Sequence, residues 1–199
     1  MSTSDIRVDV DLLRTEIRKT YTDVSTEPGE EFIFPTGRAW AQELGYPEPQ
    51  LSRIPAATVE SFAGVANHWL LGDVEPGSVV LDLGCGAGTD LLIAAQTAAH
   101  AIGVDMTPAM LERARESARA MGLENVELHE AMIESLPLED ESVDLVISNG
   151  VIDLVPDKTA AFEEIDRVLR PGGRLQIADV VIHRELSEDA RERIDLWTG

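Results

Sequence analysis

The sequence is poor in cysteine and lysine, with one cysteine, Cys85, and two lysines, Lys19 and Lys158, among 199 residues. A single cysteine cannot form an internal disulfide, and the first residues carry acids where a secretory signal would carry basic and then apolar residues. No apolar run approaches the roughly 18 residues that a membrane-spanning helix needs. These absences favour a cytoplasmic protein without a membrane segment.

Positive charge is scarce overall, with 16 Lys plus Arg against 37 Asp plus Glu and a formal net charge of −21. Residues 120–157 contain ten acids and neither Lys nor Arg. Because such a chain repels phosphate groups, the composition argues against nucleic acid and membrane as partners. The acid excess has two interpretations: an ordinary solvated surface from a genome that prefers Arg to Lys, or adaptation to high salt, which screens repulsion between carboxylates.

The chain divides near residue 75 into an irregular N-terminal part and a regular C-terminal part. We predict an N-terminal helical cap over residues 1–75 and the main domain over residues 76–199. The cap has predicted helices at 9–20, 36–45 and 56–63. The main domain has predicted strands at 78–83, 101–105, 126–131, 143–148 and 174–182, and helices at 88–99, 108–121, 158–169 and 187–197. Strands separated by helices indicate an α/β fold with a parallel sheet covered on both faces.

The most informative segment is the glycine loop DLGCGAGTD, which runs from Asp82 to Asp90. Glycines at a strand-to-helix turn let the backbone approach a ligand, and the next helix offers unpaired N–H groups. The following strand ends at Asp105, 21 residues after Gly84, where a carboxylate can accept both hydroxyls of a ribose. These features together predict a nucleoside ligand. Thr89 replaces the third glycine of the dinucleotide fingerprint, which argues against NAD.

Residues 79–182 resemble the class I S-adenosylmethionine-dependent methyltransferases. The resemblance rests on the loop DLGCGAG, the acid in GVDM, the run PLEDESVDLVIS and the LRPGG that precedes a strand. It implies a doubly wound, Rossmann-like sheet and S-adenosyl-L-methionine as the cofactor. In that family two more strands normally follow the helix at 187–197, and this sequence has none. Either the natural protein is longer, or the fifth strand is a sheet edge that a homodimer would cover.

The resemblance implies cofactor contacts for residues in the loops that follow four of the strands: Asp82, Gly84, Cys85, Gly86, Gly88, Asp105, Met106, Ile133, Glu134, Ser148 and Asn149. The glycines would surround the methionine part, and Asp82 would help to hold its ammonium group through the loop. Asp105 would bind the ribose. Met106 would pack on the adenine ring, which Ile133 and Glu134 would frame, while the fourth strand would end beside the methyl group. Packing in the core is the alternative role for Met106 and Ile133.

A closer resemblance to the arsenite methyltransferases and their relatives extends outside these shared motifs. Its most specific part is the run ISNGVIDLVPDK, which begins at Ile147. Trivalent arsenic is soft and prefers thiolate ligands, and that family supplies several cysteines. Here Gly150 stands where the family has cysteine, and Asp153 where it has asparagine. A further family cysteine would follow LWTG, where the sequence stops, so arsenite methylation by the family mechanism is not the expected activity.

We expect transfer of a methyl group to a small molecule by direct displacement at the sulfonium carbon. Alignment and desolvation can drive this reaction, so no catalytic base is obligatory and none is predicted. Tyr21, Asn67, Gly150 and Asp153 are candidates to face the methyl acceptor, and structural roles fit them equally well. No metal site is predicted. Three alternatives stay open: an arsenite methyltransferase, a cofactor-binding module without turnover, and a nicotinamide oxidoreductase.

Overall fold

The computed structural model describes residues 9–30, 32–181 and 183. The N-terminal part contains the helices α1 (Val10–Thr26), α2 (Gly37–Glu43), α3 (Glu48–Leu51) and α4 (Ala56–Glu60) and a 3-10 helix (His68–Leu71). The rest contains β1 (Val79–Leu83), α5 (Thr89–Ala95), β2 (His100–Asp105), α6 (Pro108–Ala120), β3 (Val126–Glu130), β4 (Val143–Asn149), a 3-10 turn (Ile152–Leu154), α7 (Lys158–Val168) and β5 (Leu169–Ala178). The helix predicted at 187–197 lies outside the described residues.

The strands form one sheet in the order β3-β2-β1-β4-β5, and every neighbouring pair is parallel. The chain leaves β1 toward β2 on one side and later returns to β4 on the other side. The carboxyl ends of β1 and β4 therefore flank the point where the strand order reverses, which is the usual ligand position in such sheets. The prediction of a doubly wound, Rossmann-like parallel sheet is confirmed.

Helices cover both faces of the sheet because successive strand residues point to opposite sides. On one face, Leu81 of β1 belongs to a buried cluster with Ile165 of α7. On the other face, Val80 and Leu145 pack with Ala94 of α5. The central strands β1 and β4 are consequently buried on both sides along most of their length, as expected for the centre of a parallel sheet.

The N-terminal helices share a core with the sheet's own helices. Tyr46, Val59 and Phe62 pack in one buried cluster with Leu92 of α5 and Ala118 of α6. The N-terminal part is therefore attached through apolar contacts, while its division from the rest near residue 75 stays a prediction. No helix in the described part of the chain is long and apolar enough to cross a membrane.

Two predicted helix ends were wrong because of contacts distant in sequence. α1 continues past its predicted end at residue 20, and its last turns bury Val24 against Met110. α5 stops earlier than predicted because the side-chain amide of Asn125 donates to the backbone carbonyls of Ala95 and Ala98, both at 2.9 Å. Asn125 is distant in sequence from α5, so local sequence does not specify where α5 ends.

The last described strand was also predicted with wrong limits. β5 begins at Leu169, which pairs with Val143, and the register then shifts so that Arg174 pairs with Leu145. The intervening Pro-Gly-Gly segment bulges from the ladder, as an extra stretch on one strand must. β5 forms one edge of the described sheet, and cover of that edge by a second copy of the chain stays a prediction.

Candidate active site

A cavity of about 1030 Å³, including its open mouth, lies at the carboxyl ends of β1, β2 and β4. Its walls come from α1, residues 61–64, the glycine loop, the end of β2 and the segments 131–134 and 149–156. Segments far apart in sequence thus meet at the point where the strand order reverses. The cavity therefore occupies the ligand position that the strand order predicts.

The glycine loop takes a backbone course that only glycine adopts easily. Gly84, Gly86 and Gly88 have φ angles of 63°, 52° and 94°. A Cβ atom on Gly84 would lie 2.5 Å from Val151, so the loop also packs too tightly there for a side chain. Gly84 and Gly86 line the cavity, whereas a Cβ on Gly88 would meet Ala114 of α6 at 3.1 Å. Gly88 therefore serves the packing of α5 on α6.

Asp105 ties the glycine loop to the end of β2. Its Oδ2 atom accepts the N–H of Gly86 at 2.9 Å, and its Oδ1 atom accepts the N–H of Thr107 at 2.8 Å. Burial raises the pKa of Asp105, and these backbone hydrogen bonds oppose the rise. The carboxylate is thus fixed in orientation at the cavity wall.

Asp82, at the end of β1, is a buried carboxyl group with an unsatisfied oxygen. The residue is 3% exposed and lines the cavity. Its Oδ2 atom has no hydrogen-bond partner among the described residues. Burial, followed by the charges of Asp90 and Asp105, raises the pKa of Asp82 well above its usual range. An orphaned buried acid facing a cavity fits a ligand that brings a positively charged donor.

Asp90, in the first turn of α5, is by contrast surrounded by donors. It accepts hydrogen bonds from the Tyr46 hydroxyl at 2.9 Å, Trp69 Nε1 at 2.8 Å and Asn149 Nδ2 at 3.2 Å. His68 Nε2 lies 3.3 Å from its Oδ2 atom. Burial raises the pKa of Asp90, but His68 and the hydrogen bonds outweigh burial and lower it. Asp90 is therefore an ionised carboxylate inside the protein.

Asn149, the last residue of β4, positions the wall formed by residues 61–64. Its Oδ1 atom accepts the N–H groups of Val65 at 2.8 Å and Ala66 at 3.3 Å, and its Nδ2 atom donates to the Ala66 carbonyl at 2.9 Å. Trp40 Nε1 donates to the Gly64 carbonyl at 2.7 Å from the other side. One amide at the strand end thus fixes a loop more than eighty residues away in sequence.

Helix α1 forms the wall opposite the glycine loop through Arg14, Ile17 and Tyr21. Arg14 Nη2 lies 3.1 Å from Glu134 Oε1, and Arg18 Nε donates to the Met106 carbonyl at 3.1 Å. The helix therefore reaches both segments that were predicted to frame the adenine ring. Burial, with the charges of Asp153 and Asp105, raises the pKa of Tyr21, so its hydroxyl is protonated.

Asp153 lies in the 3-10 turn next to the cavity wall but does not line the cavity. Burial, followed by the charge of Asp179, raises the pKa of Asp153 to about 7. Asp179 accepts the backbone N–H of Ile152 at 2.9 Å, and Lys158 Nζ donates to the Asp153 carbonyl at 2.8 Å. The carboxyl group thus lies close to Tyr21, whose pKa its charge raises, and its contact with the methyl acceptor stays a prediction.

Asn67 and Ser148 were also predicted at the site, and the cavity lining includes neither. Asn67 Nδ2 donates to the Gly45 carbonyl at 3.0 Å, and its Oδ1 atom accepts the N–H of Trp69 at 3.1 Å, which caps a 3-10 helix. Ser148 is fully buried in β4. The Ser148 hydroxyl has no hydrogen-bond partner among the described residues, and contact of Asn67 or Ser148 with a ligand stays a prediction.

Most predicted site residues do meet at the cavity, and the structure adds others. The predicted residues in the lining are Tyr21, Asp82, Gly84, Cys85, Gly86, Asp105, Met106, Ile133, Glu134, Asn149 and Gly150. The lining residues that sequence reasoning missed include Arg14, Ile17, Asp90 and the segment 61–64. Of these, Asp90 carried a signal as an acid in the first helical turn after a glycine loop, and the segment 61–64 lies in a run that resembles the arsenite methyltransferases.

The chain's single cysteine is unsuited to act as a thiolate. Cys85 is 7% exposed within the glycine loop. Burial, followed by the charges of Asp105 and Asp82, raises the pKa of its thiol well above the usual range. Across the described ranges, no group of three or more His, Cys, Asp or Glu side chains is arranged to hold a metal ion.

A parallel sheet of this order, a glycine loop after β1 and an acid at the end of β2 define a class I, Rossmann-like nucleoside-binding enzyme. Residues 74–198 match the model of the methyltransferase domain family. The chain therefore belongs to the S-adenosylmethionine-dependent methyltransferases, and S-adenosylmethionine is the cofactor of that family.

The chain is similar to several arsenite methyltransferases. It is 41% identical over 167 residues to the arsenite methyltransferase of Halobacterium salinarum, which covers 82% of this chain and 42% of the relative. The solved arsenic(III) S-adenosylmethionine methyltransferase of Chlamydomonas reinhardtii is 36% identical, with a TM-score of 0.59 over 78% of this chain and 53% of the other. The chain thus spans about half the length of these relatives or less.

The fold alone is shared more widely. A phosphoethanolamine N-methyltransferase of Haemonchus contortus superimposes with a TM-score of 0.59 over 85% of this chain and 32% of the other, at 18% identity. Similarity at this level supports the Rossmann-like architecture and carries no information on the substrate.

Proposed function

We propose that this protein transfers a methyl group from S-adenosylmethionine to a small molecule by direct displacement. The observation that carries the proposal is the cavity in which Asp82, with its unpartnered buried oxygen, meets the glycine loop and Asp105. This combination offers an acceptor for a cationic group, backbone that a ligand can approach closely, and an oriented carboxylate. Those are the recognition elements that an amino-acid nucleoside requires.

Different residues of the cavity would bind different parts of the cofactor. Asp82 would accept from the ammonium group, and Asp105 would accept from the ribose hydroxyls. Met106 and Ile133 would pack against the adenine ring, with Glu134 at its edge. When bound, the cofactor supplies a sulfonium-linked methyl group that is already activated for attack by a nucleophile.

The protein's own contribution is alignment and exclusion of water. α1 and residues 61–64 wall the cavity on the sides away from the sheet, and Asn149 fixes the second of these walls through its hydrogen bonds to Val65 and Ala66. Holding donor and acceptor in line can supply about 7–11 kcal/mol of a barrier in well-oriented cases. Such an enzyme works without a general base, and no residue is assigned that role.

The charge of the cavity favours a neutral or cationic methyl acceptor. Asp82, Asp90, Asp105 and Glu134 line it, against a single lining arginine, Arg14, which pairs with Glu134. An acidic, partly apolar cavity repels anions and concentrates cations. Amines and neutral hydroxyl compounds are therefore the acceptor classes that we expect.

Arsenite is a second candidate acceptor because the arsenite methyltransferases are up to 41% identical to this chain. The cavity lining fits arsenite less well than an organic acceptor, because thiol groups are scarce in it. Gly150 stands at the cavity wall where that family has cysteine, and the thiol of Cys85 is buried and protonated. Soft trivalent arsenic prefers several thiolates.

A methyl-transfer assay tests the proposal. The full chain is incubated with methyl-labelled S-adenosylmethionine and a panel of amines, phenols and arsenite, and methylated products are identified by mass spectrometry. We expect product from a neutral or cationic organic acceptor. Cofactor binding without product from any acceptor would favour the binding module without turnover, and product from arsenite alone would select the second candidate.

A further inference from the structure

Part of the cavity lining is apolar and lies outside the contacts proposed for the cofactor. It is formed by side chains of α1 and of the segment that follows β4, and none of these side chains is an acid or a base that is charged at neutral pH. We call this part the apolar wall, and it comprises Ile17, Tyr21, Val151, Leu154 and Val155.

The apolar wall borders the glycine loop. A Cβ atom on Gly84 would lie 2.5 and 2.6 Å from the two methyl carbons of Val151, so this valine packs directly on the loop. Burial, followed by the charge of Asp153, raises the pKa of the Tyr21 hydroxyl, which shows that the 3-10 turn also lies near Tyr21. The glycine loop is expected to surround the methionine part of the cofactor. The apolar wall therefore lies beside the part of the cavity expected to hold the methyl donor.

The polar side chains in the rest of this lining are committed to the protein itself. Asn149 makes hydrogen bonds to the backbone at residues 65 and 66, and Asp90 accepts from three side chains. The hydroxyls of Ser61 and Thr89 donate to backbone carbonyls of α4 at 3.2 and 3.4 Å. An acceptor rich in hydroxyl or amide groups would lose its hydrogen bonds to water here without replacement, which is costly. The lining therefore favours an apolar acceptor.

The ring of Tyr21 gives the apolar wall a planar surface. It stacks on Phe34 with ring centroids 5.8 Å apart and an angle of 22° between the planes, and Phe34 stacks in turn on Phe32 at 6.0 Å. Neither phenylalanine belongs to the cavity lining, so the stack supports Tyr21 from outside the cavity. A ring that is held in this way is ready to pack against another aromatic ring without further ordering.

We propose that the methyl acceptor carries an aromatic ring, which packs against the apolar wall, and an amine or hydroxyl group as its nucleophile. This inference rests on the proposed function and names the class of its acceptor. In the reaction, a lone pair of the nitrogen or oxygen forms the bond to the methyl carbon, the bond from that carbon to sulfur breaks, and the acceptor's proton passes to water. The acids of the lining exclude anionic members of this class.

Matched pairs of probes test the inference on the full chain. Titration calorimetry in the presence of S-adenosylhomocysteine compares phenethylamine with ethylamine, and 4-ethylphenol with ethanol. We expect each ring-bearing probe to bind at least about tenfold more tightly than its ringless partner, because burial of the ring removes apolar surface from water. With labelled S-adenosylmethionine instead, the ring-bearing probes should also be methylated faster. Ringless probes that bind as tightly or react as fast, or no binding of any probe, would overturn the inference and leave the cofactor site intact. Absence of S-adenosylhomocysteine binding would overturn the proposed function itself.

Variants of the apolar wall locate the ring. Tyr21→Phe keeps the aromatic surface and should retain the preference for phenethylamine over ethylamine, whereas Tyr21→Ala should lower it by about tenfold. Leu154→Ala shortens the wall on the other segment and should also lower the preference, which tests the inference even if Tyr21→Ala does not fold. Ile33→Ala truncates a side chain that is 75% exposed outside the lining and should match the unmodified protein. An undiminished preference in the folded wall variants would place the ring elsewhere and overturn the inference.

Discussion

Asp105 binds the glycine loop and, in the proposed function, also binds the ribose of the cofactor. Its carboxylate binds the backbone N–H groups of Gly86 and Thr107 at the cavity wall. Asp105→Ala should weaken binding of S-adenosylhomocysteine by about 1.5–3 kcal/mol, since a charged hydrogen-bond acceptor is lost. Titration calorimetry measures the change, with Asp73→Ala as an exposed control. Unchanged affinity would mean that the ribose lies elsewhere.

Gly84 combines a left-handed backbone with tight packing, and these two effects can be separated. Gly84 and Gly122 have φ angles of 63° and 68°. A Cβ on Gly84 would lie 2.5 Å from Val151, whereas a Cβ on Gly122 would have no atom within 4 Å. Gly84→Ala should therefore lower the free energy of unfolding by about 1–3 kcal/mol more than Gly122→Ala. Urea denaturation gives both values, and equal losses would contradict the packing account.

Predicted residues in the cavity lining come both from the continuous glycine-loop motif and from separate segments such as those of Tyr21 and Asn149. The glycine loop and Asp105 could be placed from spacing because a strand, a turn and a helix fix their positions relative to one another. Asn67 and Asp153 were predicted near the acceptor; the structure places Asn67 in a hydrogen bond to Gly45 and Asp153 beside Asp179, and their role at the acceptor stays a prediction. Contacts of that kind depend on the folded chain and leave no local pattern.

At the scale of elements, Asn149 joins β4 to the N-terminal part of the chain. Its amide makes hydrogen bonds to Val65 and Ala66, and it also donates to Asp90. Asn149→Ala should speed amide hydrogen exchange at residues 61–66, because their wall loses its anchor. Mass spectrometry of exchanged peptides reads this out, with the distant strand β3 as an internal control. Unaltered exchange at 61–66 would show that apolar contacts alone hold the wall.

The elements themselves were predicted well in the sheet and less well outside it. Short runs rich in apolar residues between helices identified the strands, and this pattern is strongest in the central strands β1 and β4, which are mostly buried on both faces. The short helix α3 and the 3-10 helix at His68–Leu71 were missed because each has only a single turn and no resolvable periodicity. The limits of α5 and β5 depend on Asn125 and on a bulge, which are tertiary features.

For the whole molecule, the net charge of −21 predicts a strong dependence on salt. Repulsion among carboxylates opposes the compact state, and the screening length falls from about 30 Å at 0.01 M salt to about 3 Å at 1 M. The midpoint of thermal unfolding should therefore rise with potassium chloride over this range. Scanning calorimetry measures it, and a constant or falling midpoint would support the interpretation of the acids as an ordinary solvated surface.

The family could be recognised from the sequence, whereas the acceptor could not. Family membership is indicated by several local motifs, namely the glycine loop, the acid in GVDM, the run PLEDESVDLVIS and LRPGG, and residues 74–198 match the family model. Tyr21 of α1, Gly150 and the segment 61–64 line the cavity together only in the folded chain. Their contact with the acceptor stays a prediction, so the acceptor has to be identified by experiment.

The central claim is that the cavity at the end of β1 binds S-adenosylmethionine through Asp82 and Asp105. The most direct test titrates the full chain with S-adenosylhomocysteine and with NAD under identical conditions and compares each with the Asp105→Ala variant. The account predicts saturable binding of S-adenosylhomocysteine, weakened in the variant, and no binding of NAD. Binding of NAD without binding of S-adenosylhomocysteine would contradict it.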